Sequence, residues 1–168
     1  MKRVLIAIVA MMMCVGIASA QNYMVVDSEK VFKSIEAYNN ALNEIENLSA
    51  QYQQRVDAKF QEVENMYNAY MQQRASLNES ARQQREQAIL SKEAEATQLQ
   101  ESLFGTDGEL MKRRVELIQP IQKLVFDTID NFSKLYGYDL VIDIAANPTI
   151  LYYSEKVNFT DRIIEMLK

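Results

Sequence analysis

Between Tyr38 and Tyr70 the apolar residues keep a helical rhythm. Tyr38, Ala41, Ile45, Leu48, Tyr52, Val56, Phe60, Val63, Tyr67 and Tyr70 are spaced by 3, 4, 3, 4, 4, 4, 3, 4 and 3 residues. Side chains three and four apart share one face of an α-helix, and a repeat near 3.5 keeps that face against a partner helix. The pattern predicts a coiled-coil seam with one stutter near Val56, where the supercoil unwinds locally. From Leu42 to Phe104 there is neither glycine nor proline. So long a run without breakers reads as an antiparallel helix pair.

The turn falls near residues 77–80. Ser76 and Glu79 have the spacing of a capping box, and Asn78 and Ser80 are further cap candidates. The return helix opens on Ala81-Arg82-Gln83-Gln84-Arg85-Glu86-Gln87, which carries almost nothing apolar. Ile89, Ala96, Leu99 and Leu103 then resume a sparse 3/4 pattern. Each arm is about 40 residues, on the order of 60 Å, with its distal part loosely packed. Phe104-Gly105-Thr106-Asp107-Gly108-Glu109 interrupts the return, and Thr106 with Glu109 forms a second capping box. The helix expected over 107–135 is far more apolar, contains Pro120 as a kink site, and stops at Gly137.

Strand signals lie at the two ends of the chain. Tyr23 to Asp27 reads as one strand, with a short helix starting at Ser28. Asp139 to Ala145 and Thr149 to Ser154 flank Asn147-Pro148, which predicts a β-hairpin. Thr160-Asp161 caps a short final helix. The expected fold is mainly α with a small β base: residues 21–36 and 106–168 form the body, and 37–105 form a helical hairpin inserted between the strands. Three short strands leave two sheet edges that must be covered. Closing them between copies into a barrel is the simple remedy. Tyr23, Val25, Leu140, Ile142, Ile144 and Leu151 are the candidate body and assembly residues.

Residues 1–20 differ in kind from the rest. Lys2 and Arg3 precede a nearly unbroken apolar run from Val4 to Ile17, followed by Ala18-Ser19-Ala20. This is the layout of a cleaved export signal, with cleavage after Ala20. A lipid anchor on Cys14 is disfavoured, because Met13 stands where a small residue is wanted. Cleavage removes the chain's one cysteine. It also takes Lys2 and Arg3 from 18 basic residues, leaving 16 against 23 acidic ones and a net charge of −7.

That composition excludes several chemistries. The chain has no histidine and no tryptophan, so after export no Ser-His-Asp or Cys-His nucleophile and no Cys/His zinc site can form. An enzyme is therefore not expected, nor a cofactor or metal. Acidity opposes binding to nucleic acid, which needs clustered Lys and Arg. Asp127 with Asp130, and Asp139 with Asp143, read as solvated surface carboxylates. Residues 106–109 lack the repeated acidic ligands of a calcium loop.

Tyrosine and methionine are the more informative residues. Tyrosine is an odd choice for a dry seam, since its hydroxyl needs a partner. Met66 and Met71 flank the seam in the distal half, opposite the polar start of the return helix. Flexible Met and amphipathic Tyr on a loosely packed arm suit weak binding to varied apolar segments. Tyr52, Met66, Tyr67, Tyr70 and Met71 are the candidate contacts for such clients. A structural adaptor docking the hairpin on a fixed partner is the alternative, but Ala81 to Gln87 offers it no continuous apolar stripe.

The segment Tyr23-Met24-Val25-Val26-Asp27-Ser28-Glu29-Lys30-Val31-Phe32 resembles the opening signature of the Skp/OmpH family of periplasmic chaperones. So do Tyr136 to Asp143, and the Phe104-Gly105 to Leu110 joint followed by Ile118-Gln119-Pro120-Ile121. The resemblance runs in order from about Gln21 to Lys168. It implies a jellyfish-like homotrimer with a β-barrel body, whose arms hold unfolded outer-membrane proteins in the periplasm without ATP, cofactor or catalytic residues. Familiar members have strongly basic arms, whereas this chain is acidic. That difference weighs against lipopolysaccharide or membrane-surface binding.

Overall fold

The computed structural model describes residues 22–168; the expected signal segment and its cleavage site at Ala20 lie outside the described residues. The elements are β1 (Tyr23–Val26), α1 (Ser28–Lys33), α2 (Glu36–Gln73), α3 (Glu79–Phe104), α4 (Glu109–Tyr136), β2 (Leu140–Asp143) and α5 (Thr160–Met166). Single 3-10 turns lie at Arg74–Ser76 and Glu155–Val157. Helices dominate and the sheet is small. Two compact units result: Phe32–Phe126, and the described residues up to Val31 together with Asp127–Lys168.

In the first unit α2 and α3 form a helical hairpin. Tyr70 meets Glu86 near the turn, and Tyr52 meets Phe104 edge-on at 6.3 Å near the other end, so the helices run in opposite directions. The arms are unequal, contrary to the expectation: α2 has 38 residues and α3 has 26. The start of α2 is accompanied instead by α4, whose Arg113 guanidinium reaches Glu44 at 2.6 Å.

Two expected caps are corrected. Asn78 caps α3, its side chain accepting from the Ala81 N–H at 2.9 Å. Ser76 turns back to donate to the Gln73 carbonyl, and so closes the preceding helix. Helix α4 begins after Gly108, whose carbonyl accepts from Lys112 N–H at 3.1 Å, and not at Thr106. Backbone crowding explains this. A Cβ on Gly108 would stand 2.8 Å from the Leu103 carbonyl oxygen and 2.9 Å from the Gly105 nitrogen. Only glycine lets the chain fold back this tightly between two helices.

In the second unit β1 is central. It pairs in parallel with β2, Tyr23 opposite Leu140 and Val26 opposite Asp143. On its other side Val25 forms a single bridge to Asn158, and its carbonyl accepts from Phe159 N–H. Met24, Val25 and Val26 are accordingly buried, as a strand flanked on both edges and covered on both faces should be. Phe132 sits beneath the rings of Tyr136, Tyr138 and Phe159, with centroids 4.5, 6.1 and 5.6 Å away. Gly137 ends α4 at φ 72°, and Tyr138 N–H returns to the Ser133 carbonyl at 2.9 Å. This is the expected left-handed glycine stop.

The β-hairpin around Asn147-Pro148 does not form. Asn147 does make a local turn, accepting from the Thr149 N–H and hydroxyl. The chain beyond it does not return to β2, and Leu151 and Tyr152 stand 95 and 85 % exposed. The cause lies at Asp143. Its carboxylate accepts from Ser28 N–H (3.1 Å), the Ser28 hydroxyl (2.6 Å) and Ala145 N–H (3.0 Å). It thereby caps α1 while bending the chain out of the strand. The sequence reading of Asp143 as a solvated carboxylate is corrected with it.

Candidate functional site

Surface grooves in the distal half of the hairpin follow from how the seam residues divide. Ala41, Val56 and Tyr70 are buried on α2, and Ala96 and Leu103 on α3. Toward the turn the packing thins, because α3 supplies little there besides Ile89. Tyr67 remains 50 %, Met71 47 % and Leu90 55 % exposed. A groove of about 510 Å³ runs between the helices here, lined by Tyr67, Tyr70, Met71, Arg74, Glu86, Ile89, Leu90 and Glu93. A second, of about 580 Å³, is lined by Ala58, Met66, Ala69, Arg85 and Ile89 among others. Ile89 contributes to both.

The five residues singled out from the sequence therefore take different places. Tyr67 and Met71 line one groove and half-buried Met66 the other. Tyr70 is buried, and its hydroxyl donates to the Glu86 carboxylate across the hairpin. Tyr52 is half-buried against Phe104, with the Arg55 guanidinium 5.7 Å from its ring centre. Both of these hydroxyls have company, which answers the objection to tyrosine on a seam. Burial, then the nearby Glu109 carboxylate, pushes the Tyr52 hydroxyl above its ordinary pKa. For Tyr70 the hydrogen bond to Glu86 is the main cause of an upward shift.

That shift has a sign. The Tyr70 hydroxyl is held neutral in the folded state, so its tie to Glu86 is complete below about pH 10 and fails as pH rises through the elevated value. In an ultraviolet tyrosinate titration, a late-ionising component is expected, and Tyr70→Phe should remove part of it. Loss of helicity near the turn should follow the same late component. A Tyr70→Phe titration curve matching that of the unaltered protein would count against the tie.

Leu90, Arg74, Arg85 and Glu86 were not singled out from the sequence. Leu90 lies one residue past the seam position Ile89, and periodicity alone gave it no role. In the other unit, Tyr23 and Leu140 are half-exposed and Leu151 almost fully so, while Ile142 and Ile144 are partly covered. Val25 is buried within its own chain. Among the described residues no group of carboxylates is placed to hold a metal ion, and no helix is long and apolar enough to cross a membrane.

The profile of the outer membrane protein (OmpH-like) family matches residues 22–167. No curated protein matches the chain. Among solved structures, a candidate outer membrane chaperone (OmpH-like) from Caulobacter crescentus CB15 is similar in fold. Its TM-score is 0.68 at 10 % identity, covering 89 % of this chain and 85 % of that one.

Proposed function

Because this chain belongs to the OmpH-like outer membrane protein family, we propose that it is a periplasmic holdase, keeping unfolded outer-membrane or envelope proteins soluble without ATP. The observation that carries this reading is the exposed apolar lining of the distal grooves, Tyr67, Met71 and Leu90, set on an otherwise charged hairpin. Burying apolar surface contributes about 25 cal/mol per Å², so a single shallow groove holds a client only weakly. Weak contacts suit a protein that must let go without an energy source. Useful affinity then comes from several copies engaging one chain.

The second unit supports such an assembly. Among the described residues no strand pairs with the outer edge of β2. Tyr23, Leu140, Leu151 and Tyr152 expose apolar surface in the same unit. A homotrimer in which residues 149–154 pair with a neighbouring copy closes these edges into a barrel and gathers three coiled-coil hairpins around one space. Residues 1–20 serve as the cleaved export signal, which sets the periplasm as the place of action.

The test is light scattering of a denatured outer-membrane barrel protein diluted into buffer. Equimolar trimer should suppress the scattering, and unchanged aggregation rejects the holdase reading. A solution mass measurement tests the assembly separately, and a monomer rejects the closed barrel.

A further inference from the structure

The groove beside Tyr67 and Met71 does not stop at Leu90. A shallow surface lined by Leu90, Glu93, Ala94, Thr97, Gln98 and Glu101 continues it along α3, sharing Leu90 and Glu93 with the first groove. Glu86, Glu93 and Glu101 are spaced by seven and eight residues, which puts them on one helix face with Leu90, Ala94 and Thr97 between them. At 1.5 Å per residue this edge is about 22 Å long, matching about seven residues of extended peptide.

The carboxylates on it are poorly compensated. Glu86 accepts from Tyr70, but among the described residues Glu93 and Glu101 have no ion-pair partner. Of the nearby bases, Lys92 pairs with Glu95 at 2.7 Å, Arg82 lies 3.9 Å from Glu79, and Arg85 lines the neighbouring groove with Met66 and Ile89. Arg74 is the one cation lining the groove beside Tyr67. An apolar track edged by unpaired carboxylates favours one charge sign and repels the other.

Resting on the holdase reading, we propose that this track takes extended client segments in which Lys or Arg flank apolar side chains. The apolar residues cover Leu90, Met71 and Tyr67 while the cations meet Glu93 and Glu101. Acidic segments of equal hydrophobicity are turned away, so the charge of the arm selects which part of a client is held.

The test uses the assembled mature protein and two fluorescent nine-residue peptides with the same apolar residues, one carrying Lys and one Glu in between. Fluorescence anisotropy at low ionic strength should show the Lys peptide binding about tenfold tighter, on the scale of two or three exposed ion pairs. Added salt should narrow the gap. Glu93→Gln with Glu101→Gln should shrink it to about twofold, whereas Glu46→Gln, off the track, should leave it in place. Equal binding of the two peptides, with barrel-protein aggregation still suppressed, overturns the charge preference and leaves the holdase reading standing. A gap that survives in the Glu93/Glu101 double variant overturns the placement on this track. Loss of suppression in the unaltered protein instead rejects the holdase reading itself.

Discussion

Replacing Phe132 by alanine is expected to cost about 3–5 kcal/mol, the usual toll of removing a buried aromatic from a core. Phe132 is 2 % exposed, and three rings surround it: Tyr136, Tyr138 and Phe159. Small units have little stability to spare, of the order of 5–15 kcal/mol for a whole domain. Few alternatives could refill the space. Tyr136 and Tyr138 flank Gly137, whose φ of 72° ties them to one backbone path, and Phe159 is held by its N–H bond to Val25. The measurement is urea unfolding followed by near-ultraviolet circular dichroism, which reports these packed rings. Phe132→Leu, which retains apolar volume, should recover a good part of the loss. A midpoint unmoved by Phe132→Ala would mean that the rings do not form one core.

The same region shows how far the sequence could be read. The strand signal from Tyr23 to Asp27 and the glycine stop at Gly137 are legible as composition and position, whereas the burial of Met24, Val25 and Val26 comes from β2 and Asn158, far along the chain. The β-branched residues around Asn147-Pro148 describe local preference only, and the β-hairpin they predict does not form. What decided the outcome was Asp143, 115 residues from Ser28 in the chain, accepting that residue's N–H and hydroxyl. Thr160 tells the same story: its hydroxyl accepts from Asp27 N–H at 2.9 Å and donates to Asn158 at 2.7 Å, a tie joining the two ends of the described chain. Seen from the sequence, Thr160 was only a helix cap. Long-range polar partners leave no periodic trace.

The helical hairpin was more legible, since its pairing is written in the 3/4 spacing of α2. Its grooves were only half legible. Tyr67 and Met71 stood out as unusual residue types, but Leu90 is ordinary and acquires meaning only beside them. The polar start of α3 predicts loose packing in the distal part of the arm, yet Glu86 within it is the partner of Tyr70. Polarity there serves a specific tie as well as solvation.

Leu103→Ala should destabilise the hairpin by about 2–5 kcal/mol, whereas Met71→Ala should stay within about 0.5 kcal/mol of the unaltered protein. Leu103 is 1 % exposed at the closed end of α3, and its carbonyl oxygen lies against the Gly108 turn. A cavity there cannot be filled from solvent-facing neighbours. Met71 is 47 % exposed and loses little on truncation. The two substitutions should separate stability from binding: Leu103→Ala lowers amide protection through α3, and Met71→Ala weakens client capture with protection intact. Hydrogen exchange read by mass spectrometry, together with the scattering assay, measures both. In the unaltered protein, protection should be greatest around Ala96 and Leu103, fall toward the 74–78 turn, and show one local rise at Tyr70 and Glu86. Protection equal along the whole hairpin would remove the physical basis for adaptable grooves, since a uniformly rigid surface cannot fit varied clients.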